Sequence, residues 1–123
     1  MQVEQEVAAF RKYLLKLRNL ISRDNLFAYG DNKIVDKKKV DDLLCCIEAS
    51  FPVDIIKKEK TTVQKLLRSK GAYKELLNAI KNRFLFSNSV YLVHYSDAIA
   101  RMDALMKAIN QDLDYIYNQD IGT

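Results

Sequence analysis

The sequence predicts an all-α protein, a single antiparallel bundle of three or four long helices. Three observations carry this. Leu92, Tyr95, Ile99, Met102, Met106, Ile109, Leu113 and Ile116 follow one another in steps of three and four residues along the last third of the chain. Apolar residues at that spacing form a narrow seam that a helix buries against another helix. Val3, Val7, Phe10, Leu14, Leu17 and Ile21 repeat the pattern near the start. Only three Gly and one Pro interrupt the 123 residues, too few breakers for a many-turned β fold.

Each element follows from its own residues. The first helix runs from about Val3 to Arg23 on the stripe just named. Asp24, Asn25, Gly30, Asp31 and Asn32 mark a connection. Leu26, Phe27 and Tyr29 sit inside it, so the loop either folds back on the bundle or offers a small contact patch. The second helix starts at Asp36, whose carboxylate can accept from the free amides of the first turn. It buries Val40, Leu43, Leu44, Ile47 and Phe51, and Pro52 closes it. The third opens at Pro52 or Val53 and presents Ile56, Val63, Leu66 and Leu67. Gly71 either ends that helix or lies inside a longer one through Tyr73, Leu76, Leu77, Ile80 and Phe84. The apolar phase survives the glycine, which favours one bent helix. Ser87, Asn88 and Ser89 turn the chain. The last helix then spans Val90 to Asn118, roughly 40 Å. One domain covers residues 1–118, residues 119–123 fray, and no internal repeat stands out.

Composition narrows the function classes. Hydrophobic residues at 49% are too many for general disorder. Charged residues crowd the first twenty positions and no apolar run approaches ~18 residues, so the expected compartment is cytoplasmic. The adjacent Cys45 and Cys46 give neither a disulfide framework nor a zinc set, and read as small packed hydrophobes. His94 is the lone histidine and lacks a recognisable catalytic partner. Asp97, Asp103, Asp112 and Asp114 read as a solvated face rather than a metal site. Glycines at 30, 71 and 122 cannot build a phosphate loop. No catalytic residue, cofactor or metal is expected.

Charge is unevenly spread. Residues 33–84 carry thirteen Lys/Arg against seven Asp/Glu, and residues 85–123 carry two against five. Lys37, Lys38, Lys39, Lys57, Lys58, Lys65 and Arg68 form a basic stretch able to neutralise phosphates. Phe27, Tyr29, Tyr91, Tyr115 and Tyr117 are candidate partner contacts, since Tyr joins an apolar body to a polar tip.

The segment Asn32-Lys33-Ile34-Val35-Asp36-Lys37, followed by Val40, Asp42, Leu43, Leu44, Ile47, Phe51, Pro52, Asp54 and Ile55, resembles a helical segment of known proteins. These are bacterial coiled-coil proteins labelled ATPase-like or related to DivIVA-type cell-division proteins. The resemblance spans residues 32–55 and ends after Lys60, where that family continues as a long charged coil. It implies a coiled-coil setting, and it brings no catalytic residue and no nucleotide motif.

The expected function is a non-enzymatic helical protein–protein interaction module, a scaffold, adaptor or assembly subunit, with self-association as one form of it. The alternative is a nucleic-acid-associated protein working through the Lys-rich middle.

Overall fold

The computed structural model describes residues 2–23, 27–50, 70–87 and 89–122. Its elements run α1 (Gln2–Ser22), β1 (Phe27–Tyr29), β2 (Asn32–Asp36), α2 (Lys37–Ala49), α3 (Lys70–Lys81), β3 (Phe84–Ser87), β4 (Val90–His94) and α4 (Tyr95–Gly122). The all-α bundle is therefore wrong, and so is its coiled-coil reading. The described chain is mixed α and β, with an antiparallel four-stranded sheet in the order β1-β2-β4-β3.

The sheet comes from two short hairpins. In the first, Gly30 and Asp31 join the strands, and Gly30 takes φ +56°, which an L side chain adopts only at a cost. The supposed loop before Asn32 thus holds a strand, Phe27–Tyr29. In the second, Phe84–Ser87 pairs with Val90–His94, so the expected third and fourth helices each lose residues to strands. Phe84 and Leu92 continue the helical spacing on paper yet lie in strands. Aromatic and β-branched residues there pack well on a pleated surface.

The helices otherwise sit near their expected places. Asp36 caps α2 by accepting from the Lys39 amide at 3.0 Å, and Ser50 closes that helix two residues before Pro52. The proposed continuity of the third helix across Gly71 concerns residues before Lys70, outside the described residues.

Residues from all four described helices enter one core. Phe10, Leu14, Leu17 and Ile21 of α1 join Val40 and Ile47 of α2, Tyr73, Leu77 and Ile80 of α3, and Ala98, Met102, Leu105 and Ile109 of α4. Val35, Val93 and Phe84 close this core from the sheet. The buried line of α4 runs through Ala98, Met102, Leu105 and Ile109, with Ile99 and Met106 only partly buried beside it. The broader stripe lets α4 pack against both α1 and α3 rather than along one coiled-coil seam.

The chain also contains a repeat that the sequence reading misses. Helix, hairpin and helix occur twice. Val35, Val40 and Ile47 of the first half match Val93, Ala98 and Leu105 of the second, with identical steps within each set. Phe10, Leu14, Leu17 and Ile21 match Tyr73, Leu77, Ile80 and Phe84 in the same way. The central strands pair Asn32 with His94, Ile34 with Leu92 and Asp36 with Val90. An approximate two-fold axis therefore passes between Ile34 and Leu92. Backbone hydrogen bonds obey it: the Lys37 amide donates to the Ser89 carbonyl at 3.2 Å, and the Tyr95 amide to the Asp31 carbonyl at 3.1 Å. Each hairpin turn receives the first amide of the other half's second helix.

Candidate interaction surface

Strand alternation sorts the sheet residues between two faces. Lys33, Val35, Tyr91, Val93 and Phe84 point toward the helices. Ile34, Leu92 and Leu85 lie opposite one another on the outer face, in one row across three strands. Ile34 is 42% exposed and Leu85 45% exposed, while Leu92 is half-buried. Val90 continues the apolar surface, and Asn32, Asp36, Ser87 and His94 border it. Among the described residues no helix covers this face. His94 is thus a border residue of the sheet beside Asn32.

Of the five candidate aromatic contacts only Tyr91 has a described side chain, and it faces inward. Phe27 and Tyr29 belong to β1, and Tyr115 and Tyr117 to α4, where their side chains lie outside the described residues. The Tyr91 hydroxyl donates to Asp41 Oδ1 at 2.6 Å, and Lys37 Nζ donates to Asp41 Oδ2 at 2.6 Å. The ammonium also stands over the rings of Phe86 and Tyr91, 5.3 and 5.6 Å from their centroids. Phe84 and Phe86 meet Tyr91 edge-on at 5.6 and 6.5 Å. The Lys37 ammonium, then the Tyr91 hydroxyl, hold the Asp41 carboxyl below its ordinary value. The same carboxylate raises the Tyr91 phenol, helped by burial, and raises Lys37. This cluster opens on a cleft of about 460 Å³ lined also by Leu44, Cys45, Glu48, Lys81 and Phe84. Lys81 and Glu48 form an ion pair at its edge. Cys45 is exposed there and Cys46 is half-buried, so neither is a fully packed hydrophobe.

The basic candidates fare unequally. Lys37 is committed to Asp41, whereas Lys38 and Lys39 are exposed on the first turn of α2. Lys57, Lys58, Lys65 and Arg68 lie outside the described residues. Other cations also meet carboxylates: Arg18 reaches Asp103 at 2.9 Å, while Arg83 and Arg101 share Asp97 at 2.6 and 3.2 Å. Asp97 and Asp103 thus bridge elements instead of forming only a solvated face.

Sequence reasoning counts Lys33 with Lys37, Lys38 and Lys39 in a basic surface cluster, and the structure corrects this. It lies on the inward face of β2, only 5% exposed. Its Nζ sits 3.9 Å from the centroid of Tyr95 and donates to the Ser22 carbonyl at 3.4 Å. The Tyr95 hydroxyl donates to Ser22 Oγ at 3.3 Å. A cation at the carbonyl end of α1 is favoured by the helix dipole. The available signal is positional: Lys33 stands two residues before Val35 in a period-two strand. No protein family, no curated protein and no solved structure matches the chain.

Proposed function

We propose that the protein is a non-enzymatic interaction module that self-associates through the outer face of its sheet, which no described helix covers. One observation supports this reading: the row Ile34–Leu92–Leu85 lies across three paired strands, on the side away from the helices. An antiparallel sheet with a solvated outer face normally alternates apolar with polar residues, the polar ones outward. Here the centre of the outer face is aliphatic. Two such faces stack at about 10 Å with interdigitating side chains. The row straddles the internal two-fold axis, so both halves of the chain contribute to it.

Light scattering after size exclusion tests the proposal. The chain should elute as a dimer or larger species, and Ile34→Glu with Leu85→Glu should return it to a monomer. A strict monomer at the highest soluble concentration refutes self-association.

A further inference from the structure

A second surface runs along α1. From Val7 to Ser22 this helix carries Arg11, Lys12, Lys16 and Arg18 and no carboxylate, and Arg23 follows its last residue. Arg18 is neutralised by Asp103. Arg11, Lys12, Lys16 and Arg23 form no ion pair among the described residues. Two adjoining clefts collect them. One, of about 650 Å³, is lined by Lys16, Asn19 and Leu20 of α1, by Arg23 just after it, and by Lys39, Asp42 and Leu43 of α2. The other, of about 430 Å³, is lined by Ala8, Arg11, Lys12, Leu15, Lys16 and Asn19. Lys16 and Asn19 are common to both, so the two form one continuous groove.

We infer that this groove binds the phosphate backbone of a nucleic acid. Its charge pattern is linear. Arg11 to Arg23 span about 18 Å along the helix axis, and Lys12 and Lys16 stand one turn apart. Among the described residues that line these clefts, Arg11, Lys12, Lys16, Arg23 and Lys39 stand with a single acid, Asp42. The pattern suits a line of negative charges better than one isolated anion. Leu15, 49% exposed, and the half-buried Leu20 and Leu43 offer apolar contact to sugars or base faces. The amide of Asn19 supplies a neutral donor between the cations. The site lies apart from the sheet face, so its test is independent of self-association.

Fluorescence anisotropy with labelled single-stranded and duplex oligonucleotides tests the inference, titrated across a salt series. Binding is expected at low salt, weakening log-linearly with a slope of about −3 to −4 for duplex if four phosphates are neutralised. Lys16→Glu/Arg23→Glu should lower affinity at least tenfold and flatten the slope. Lys16→Gln/Arg23→Gln should do the same to a lesser degree, without placing new charge on α1. The charge-matched control Lys74→Glu/Lys107→Glu, on exposed positions of α3 and α4, should stay within about twofold of the parent. The stronger of the two strand arms identifies the form of nucleic acid. Three results each overturn the inference: no binding at low salt, equal loss in the control variant, or equal competition by polyglutamate of matched charge.

Discussion

Replacing Lys33 tests the reading of the inward face most directly. The side chain is buried, its ammonium lies 3.9 Å from the Tyr95 ring centroid, and the Ser22 carbonyl accepts from it. A desolvated cation–π contact contributes about 2 kcal/mol, and a charged hydrogen bond about 1.5–3 kcal/mol. Burying the ammonium opposes both by several kcal/mol. The aliphatic stem adds packing that alanine removes. Lys33→Ala should therefore destabilise by about 2–3 kcal/mol. For a chain of this length that is a fall in Tm of roughly 8–12 °C. Lys33→Met keeps most of the volume and removes the burial cost, so it should cost under about 1 kcal/mol. The decisive measurement is a double-mutant cycle in urea with Tyr95→Leu, where Lys33→Ala and Tyr95→Leu should couple by about 0.5–2 kcal/mol. A coupling energy indistinguishable from zero would show that the contact holds nothing, and the account of this pair would fail. Lys37→Ala is the comparison: that ammonium is one-third exposed, and its loss should move Tm only marginally.

Other outcomes follow from the same structure. Ile47→Ala and Leu105→Ala empty equivalent places in the two halves, and each should cost about 2–5 kcal/mol in chemical denaturation. Gly30→Ala meets no neighbour but forces a side chain into φ +56°, so thermal melts should show a loss of about 1 kcal/mol that Gly30→Asn largely avoids. Asp31 and Asp41 are both held below the ordinary carboxyl value, Asp31 first by the Ser96 hydroxyl and Asp41 first by Lys37. The unfolded chain takes up their protons first as pH falls, so their stabilisation is complete above about pH 4 and disappears below it. Asp41→Asn should make the acid limb of the stability profile shallower, and should let the Tyr91 phenol ionise at lower pH in an ultraviolet titration.

The helices were legible because burial on one side imposes a 3.6-residue period, which α1 obeys from Val7 to Ile21 and α2 obeys at Val40 and Ile47. The hairpins left signals too. Gly30-Asp31 between Tyr29 and Asn32 is a two-residue turn, and Phe84-Leu85-Phe86 and Val90-Tyr91-Leu92-Val93 flank Ser87–Ser89. These signals lose to a coincidence of spacing. Leu92, Tyr95 and Ile99 step by three and four across a strand–helix junction, so the helical phase runs on where the backbone has changed. The pairing of β2 with β4 brings together residues far apart in the chain, and no local pattern encodes it. The open face escapes detection for the same reason. Ile34, Leu85 and Leu92 form a row only after two hairpins have paired, whereas the tyrosines chosen for their composition are scattered by the fold. Lys33 disappears into a run of surface lysines because its burial depends on Tyr95 and on the end of α1.

The internal two-fold axis explains why the two lysines behave differently. Lys33 and Tyr95 occupy places that the axis exchanges with those of Tyr91 and Lys37, so each site joins a lysine to a tyrosine with the roles reversed. Their backbone settings are equivalent, as the paired Lys37–Ser89 and Tyr95–Asp31 hydrogen bonds show. The difference must then come from the side chains around them. Asp41 stands on α2 where Ile99 stands on α4. An aspartate there can accept from both Tyr91 and Lys37, which draws the ammonium outward to the mouth of the cleft. Isoleucine accepts nothing, so Lys33 turns to the Ser22 carbonyl and is buried against Tyr95. One acid in one half thus separates a half-exposed polar cluster beside Cys45 from a closed structural contact. Asp41→Ile should take the carboxylate partner from the Lys37 ammonium and give nothing in return, since the place matching Ser22 falls on Leu85 in β3, on the outer face of the sheet. Loss of stability in that variant, with the Lys33 site unchanged by nuclear magnetic resonance, would separate the effect of the acid from that of the fold; a shift at Lys33 as large as that at Lys37 would show that the halves do not act independently.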